Sequence, residues 1–156
     1  MKKFAIVHNV RSLHNVGSIF RTADAAGVKK IYLTGYTPKP VDVFGNYRKE
    51  ISKTALGAEK YIPWEYNKNI SSLITKLKKG NIFIVALEQS KRAVAYNKLK
   101  KRRPLALIVG NEVRGLSRSV LKKSDAIISI PMRGKKESLN VAVAFGIAMF
   151  SILDSD

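Results

Sequence analysis

Three uninterrupted apolar runs, NIFIVALE at 81–88, PLALIVG at 104–110 and AIISIP at 126–131, constrain the fold more than any other feature. A strand with one wet face alternates apolar and polar residues. Runs without alternation belong to strands buried on both faces, as in a parallel sheet. FAIVH (4–8) and KKIYLTG (29–35) read as two further strands, and YIPW (61–64) as a short extended piece. Parallel strands need crossover segments, usually helices. NVGSIFRTADAAG (15–27), closed by Gly27, and RKEISKTALGAE (48–59) are such segments. So is ISSLITKLKKG (70–80), where Ile70, Leu73, Ile74 and Leu77 recur at helical spacing and Gly80 ends the run. The last helix is expected over 139–153. It is apolar on every side from Val141 onward, so it reads as buried. The expectation is one α/β domain over 1–156, an open, mainly parallel six-stranded sheet with helices on both faces.

The chain has no cysteine, which excludes disulfides, thiolate metal sites and a cysteine nucleophile, and fits a reducing cytoplasm. The apolar run after the basic start, Phe4 to Val7, is too short for a signal peptide. Residues 139–150 fall short of the roughly 20 apolar residues of a membrane span. A soluble, cytoplasmic protein is expected. Lys+Arg 29 against Asp+Glu 11 gives a net charge of +18 and a pI near 10.3. Such an excess favours a polyanionic partner, because Lys and Arg contacts to phosphates release counterions. The plainer alternative is a basic solubilising surface.

Ligands of open α/β sheets bind beyond the carboxyl ends of the strands. The loops there are the unusual parts of the sequence. In HNVRSLHNVGSIFRTA (8–23), Asn15 and Arg21 stand near a helix start with Gly17 between them. Free N–H groups, the helix dipole and a guanidinium fork would grip an anion. From this stretch alone, Asn15 as a cap and Arg21 as a solvated side chain is the simpler reading. In LALIVGNEVRGLS (105–117), a buried strand runs into Gly110, Asn111, Glu112 and Gly115. These glycines would let a backbone approach a ligand. Neither G-x-G-x-x-G nor a P-loop is present. Glu112 is an acid that would hold an arginine in place, or a surface carboxylate paired with Arg114 or Arg118. In ISIPMRGKKESLNVAVA (128–144), Ser138 is the candidate N-cap of the last helix. Asn140 is less well explained, since Asn has little preference for a helical first turn.

Together the three stretches resemble the SpoU–TrmH branch of the SPOUT methyltransferases. The first family motif is matched by Asn15, Gly17 and Arg21, the second by Gly110 to Leu116, and the third by Ile130 to Ala142 without a break. The motifs stand in the family order and the resemblance covers nearly the whole chain. It implies a deep trefoil knot near the C-terminus, S-adenosylmethionine as cofactor, and a homodimer with the active site at the subunit interface. The implied reaction is methyl transfer to a ribose 2′-hydroxyl of tRNA or rRNA. The cofactor pocket would be lined by Leu87, Gly110, Ile130, Ser138 and Leu139. Arg21 would stabilise the developing alkoxide. Glu112 would orient Arg21 or a neighbouring arginine, Asn15 would position Arg21 or the ribose, and Ser138 and Asn140 would complete the pocket.

No metal is expected, and His8 and His14 form no convincing ligand set. Unlike many relatives, the sequence shows no separate RNA-binding domain. Contacts to RNA are therefore expected from Arg11, Arg114, Arg133, Lys135 and Lys136 in the loops. The runs KLKK (76–79) and KLKKRR (98–103) are either further contacts or solvated faces. A base-methylating SPOUT enzyme and a non-catalytic RNA-binding or assembly protein on the same fold are the rival readings.

Overall fold

A computed structural model describes residues 1–100 and 104–153, with Leu153 through its backbone alone. The strands are β1 (Lys3–His8), β2 (Lys30–Thr34), β3 (Trp64–Asn67), β4 (Phe83–Leu87), β5 (Val94–Ala95), β6 (Leu105–Val109) and β7 (Ala126–Ser129). They form one sheet in the order β3-β2-β1-β6-β4-β7-β5, with every pairing parallel. The helices are α1 (Leu13–Ala25), α2 (Lys49–Ala55), α3 (Ala58–Tyr61), α4 (Ile70–Lys79), α5 (Arg118–Lys123) and α6 (Val141–Leu153). No helix of the described residues is long and apolar enough to cross a membrane.

Two of the unalternating runs, β6 and β4, lie near the centre; the third, β7, sits beside the edge strand β5, and of its four residues only Ile128 is buried. All five residues of β6 are buried, flanked by β1 and β4. Register alignment builds two cores. Ala5, Ile31, Leu107 and Val85 share one level and one face, against α1, α2, α3 and α6. At the next level Ile6, Tyr32, Ile108 and Ala86 face the other side, against α4 and α5. Helical spacing supplies the matching stripes. Val16, Ile19, Phe20 and Ala23 of α1 are buried, as are Ile70, Leu73, Ile74 and Leu77 of α4.

The structure corrects several expectations. The sheet has seven strands, because Val94–Ala95 adds a two-residue edge strand too short to carry a pattern. The extended piece at 61–64 is displaced: Tyr61 closes α3, and the strand begins at Trp64. The single helix over 48–59 is two helices, broken where Leu56 and Gly57 take φ of 51° and 94°. Helix α5 was not expected. The run 98–103 lies partly outside the described residues. Finally, α6 is not buried all round. Phe145, Ala148, Met149 and Ile152 face the core, while Val143, Ile147 and Phe150 are 51%, 37% and 40% exposed.

Gly17 has a packing reason. A Cβ there would collide with Thr54 Oγ1 and the Ile51 carbonyl of α2, which lies against α1. Gly17→Ala is therefore expected to cost about 1–3 kcal/mol through overpacking. A urea titration should show a lower midpoint with an unchanged slope.

Candidate active site

Three loops meet beyond the carboxyl ends of the central strands. They join β1 to α1, β6 to α5, and β7 to α6. One chain of hydrogen bonds ties them together. Glu112 Oε2 accepts from the Arg11 N–H at 3.2 Å, and Oε1 from the Ser12 N–H at 3.0 Å. Oε1 also accepts from Asn15 Nδ2 at a longer 3.4 Å. Asn15 Oδ1 in turn accepts from Asn140 Nδ2 at 3.1 Å. Asn140 Oδ1 takes the N–H groups of Ala142 and Val143 at 2.9 and 3.2 Å. Every link has one allowed polarity, because a carboxylate only accepts. The orientations of both amides follow from it.

This geometry reassigns the helix caps. Ser12, not Asn15, caps α1, accepting from the Asn15 N–H. Asn140, not Ser138, accepts the first free N–H groups of α6. The amide of Asn15 is thus released from capping and faces the other two loops. Within one chain, among the described residues, Glu112 meets no arginine side chain. Its carboxylate makes no ion pair with Arg21, Arg114 or Arg118, and instead holds the backbone of the first loop. Partial burial works against its charge. Hydrogen bonds from the backbone of Ser12, of Glu112 itself and of Arg11, and from the Asn15 side chain, outweigh that and hold its pKa below the ordinary carboxyl value.

A second network, unforeseen in the sequence, sets the shape of the loop at Glu112. Asn111 Oδ1 accepts from the N–H groups of Val113 and Arg114 at 2.9 and 2.8 Å. Its amide donates to the Asn9 carbonyl and to the Tyr36 hydroxyl. Asn9 adopts φ of 55°, and its Oδ1 accepts from the Tyr36 N–H. Its amide therefore points to His8 Nε2, which leaves the proton on Nδ1 to reach Thr34 Oγ1 at 2.9 Å. Burial lowers the pKa of His8 and so favours the neutral ring that accepts from Asn9.

Beside these networks lies a pocket at the ends of β6, β4 and β7. Leu87, Gly110, Ile130, Ser138 and Leu139 lie together around it, with Met132 and Val141. Glu88 and Gln89, which follow β4 directly, are additions. Glu88 accepts from the N–H groups of Leu116 and Gln89 at 2.7 and 2.9 Å, clamping the loop after β6. Gly115, at φ of 64°, has no room for a Cβ against that carboxylate. Gln89 Nε2 donates to the Ile130 carbonyl at 2.8 Å. Gly110 serves packing as well as access, since a Cβ would lie 2.6 Å from Leu116 Cδ2. The lining sets apolar residues such as Leu87, Ile130 and Leu139 beside polar ones such as Glu88, Gln89 and Ser138, so apolar walls and hydrogen-bonding groups meet in one pocket.

Arg21 stands apart. It is exposed on α1, in a shallow depression with Ser18, Thr22, Ala25, Lys53, Thr54 and Phe150. The basic side chains expected to meet RNA, Arg11, Arg114, Arg133, Lys135 and Lys136, are all exposed on the same three loops.

A parallel sheet with such a pocket beyond its central strands defines an open α/β protein with a ligand site at its strand ends. The comparisons narrow this class. The family model of the SpoU rRNA Methylase family matches residues 3–150. The TrmH family protein YacO of Bacillus subtilis (strain 168) is 34% identical over 149 residues, 96% of this chain and 57% of YacO. The crystal structure of an AdoMet-bound rRNA methyltransferase from Sinorhizobium meliloti superposes with a TM-score of 0.88 at 31% identity, over 97% of this chain and 55% of that one. An RNA 2′-O ribose methyltransferase superposes with a TM-score of 0.83 at 26% identity, over 96% of this chain and 55% of that one. The chain belongs to the SpoU methylase family, and spans little more than half the length of these relatives.

The depressed pKa of Glu112 links the site to acid stability. Its contribution is full above the ordinary value of 4.5 and is lost as pH falls through the lower folded value. In Glu112→Gln that acid-dependent loss should shrink, and the whole curve should lie lower, because an amide has one acceptor oxygen and turns an NH2 donor toward the other backbone N–H. Thermal melts of both proteins across that range check this; parallel curves would refute it.

Proposed function

We propose that this chain is the catalytic unit of an S-adenosylmethionine-dependent enzyme that methylates a ribose 2′-hydroxyl of tRNA or rRNA. The observation that carries this reading is the Glu112–Asn15–Asn140 chain, which joins all three family motifs at the rim of the pocket. The family assignment and the named activities of the relatives support it.

S-adenosylmethionine, when bound, supplies an electrophilic methyl group on a sulfonium. Leu87, Ile130, Leu139 and the backbone at Gly110 would hold it in the pocket. The protein's own task is to position a weakly acidic hydroxyl and stabilise the oxygen as its proton leaves. Asn15 is suited to positioning, since Glu112 and Asn140 fix both ends of its amide. Arg21 is suited to stabilising the alkoxide, because a guanidinium rarely gives up its own proton. The proton would pass to an RNA phosphate or to water.

Within one chain Arg21 does not join Asn15, so the proposal includes a second copy. Val143, Ile147 and Phe150 form an exposed apolar stripe on α6 at helical spacing, extended by Leu139. Phe150 shares the depression of Arg21. A homodimer that covers this stripe would bring Arg21 of each protomer into the contact. The trefoil knot implied by the family belongs to the same proposal.

The test is incubation with radiolabelled S-adenosylmethionine and total RNA, followed by nucleoside mass spectrometry. A 2′-O-methylnucleoside is expected; a methylated base would overturn the acceptor, and no label would favour a pure RNA binder. Arg21→Ala should lower the rate at least about 100-fold, the scale of a lost oxyanion donor, with cofactor affinity by calorimetry unchanged. Mixed dimers of Arg21→Ala with Asn15→Ala should recover part of the rate, since one site then keeps both groups. No recovery counts against a shared site.

A further inference from the structure

The excursion between β2 and α2, residues 35–48, lines neither pocket, yet both its ends are fastened to the site. At its start the Tyr36 hydroxyl accepts from Asn111 at 3.0 Å. Just past its end, Thr54 Oγ1 of α2 donates to the carbonyl of His14, the neighbour of Asn15, at 2.8 Å. Between them the chain doubles back as a hairpin. Arg48 N–H donates to the Pro40 carbonyl, Val41 bridges Tyr47, and Asp42 N–H donates to the Asn46 carbonyl. Asp42 Oδ1 accepts from the N–H groups of Phe44 and Asn46 at 2.8 and 3.0 Å. The turn is thus held from inside, and it carries Val43 and Phe44 at 94% and 85% exposure. Nothing in the fold needs an aromatic ring there.

The surroundings identify a partner. Among the described residues six aromatic side chains are exposed, and five lie in this region: Tyr36, Phe44, Tyr47, Tyr61 and Tyr66. Lys39 and Lys60 sit over the rings of Tyr66 and Tyr47, 4.9 and 5.0 Å from their centroids. Arg48, Lys49 and Lys53 add charge on α2 and its cap. Of the nearby carboxylates, Asp42 is used by the turn, and Glu59 is buried on the Gly57 N–H. Glu65 is paired with Lys30, and Glu50 is the remaining acid beside these cations, which outnumber the acids around them. Aromatic faces interleaved with unpaired cations match a nucleic acid, because bases stack on rings while phosphates meet lysines.

We propose that the 40–48 hairpin is a stacking platform for an unpaired nucleotide of the RNA, with Phe44 as the stacking ring. A base inside an A-form helix has no free face to offer, so the segment recognised is a single-stranded loop or bulge. The inference rests on the reading of the chain as an RNA-modifying enzyme, and it narrows the substrate to RNA presenting unpaired bases near the modified ribose.

The test uses a short RNA stem-loop with 2-aminopurine in its loop, and a blunt RNA duplex without one. Wild-type protein should quench the loop fluorophore. Phe44→Ala should bind the stem-loop about tenfold or more weaker, as for other lost base stacks. Its affinity for the duplex and its salt slope should stay the same, because Phe44 neutralises no phosphate. Phe44→Trp should restore binding and quenching. Equal stem-loop affinity of wild type and Phe44→Ala would overturn the proposal, as would a wild type that binds neither RNA. Cofactor affinity and methyl transfer measured alongside separate the two readings. A wild type that methylates RNA with Phe44→Ala unaffected removes the platform alone. Selective loss of loop binding without any methyl transfer keeps the platform and removes the enzyme.

Discussion

The carboxylate of Glu112 is the group on which the arrangement of the other site residues depends. It stands in the loop after the central strand β6 and reaches across to the loop after β1, whose Arg11 and Ser12 N–H groups it accepts. Those N–H groups have no strand partner, because the chain leaves the sheet there to enter α1. Once the carboxylate is in place, a sequence of forced choices follows. Asn15 must turn its amide nitrogen toward it, so its oxygen faces Asn140. Asn140 must then donate with its nitrogen, and its oxygen is left to start α6. Loops distant in sequence thereby acquire one hydrogen-bonding sense. A hydroxyl presented to Asn15 would meet an amide whose orientation is already fixed, which is what preorganisation requires.

The sheet makes this reach short. Parallel pairing puts the carboxyl ends of β1, β6, β4 and β7 side by side, so the loops that follow them share one edge. Close packing holds the loops at that edge. Gly17 admits α2 against α1, and Gly115 admits the Glu88 carboxylate that holds Leu116. Glycines that look like openings for a ligand in the sequence are, in part, places where the protein fills itself. The pocket is what remains between these filled positions, with aliphatic and polar residues both on its walls.

Much of this was legible in the residues, and the failures have definite causes. The four longer strands β1, β2, β4 and β6 were readable, because burial on both faces writes itself as an apolar run; β7 carries the same kind of run although only its Ile128 is buried. Val94–Ala95 was not readable, since two residues at an edge have no pattern. The family was readable because Asn15, Gly110 to Leu116 and Ile130 to Ala142 occur in order. The division of labour between Ser138 and Asn140 was not. Either residue can cap a helix, and the choice depends on Asn15, which is 125 positions away from Asn140 in the chain. The role of Glu112 was hidden for the same reason: backbone N–H groups are present at every residue and leave no mark in the sequence. Helix α6 misled in another way. An all-apolar helix reads as buried, yet Val143, Ile147 and Phe150 are exposed in the single chain.

The distribution of acids gives the strong positive charge its meaning. Of the 11 acidic residues, Asp42, Glu59, Glu88 and Glu112 are spent on backbone N–H groups. Among the described residues only Glu65 and Asp125 pair with lysines, Lys30 and Lys78. These carboxylates hold loop backbone, and the 29 basic side chains still exceed the 11 acids by 18. Left alone, such a surface repels itself, and that repulsion opposes the compact state. A phosphate backbone would relieve it. Added salt acts on the two processes in opposite senses. It screens the repulsion between surface cations and so favours the fold, while it removes the counterion-release gain and so weakens RNA binding. A protein whose cations served solubility alone would show the first response without the second. Melting temperature and RNA affinity, followed over the same salt series, should therefore diverge, and a joint fall of both would mean that the lysines are paired within the fold after all.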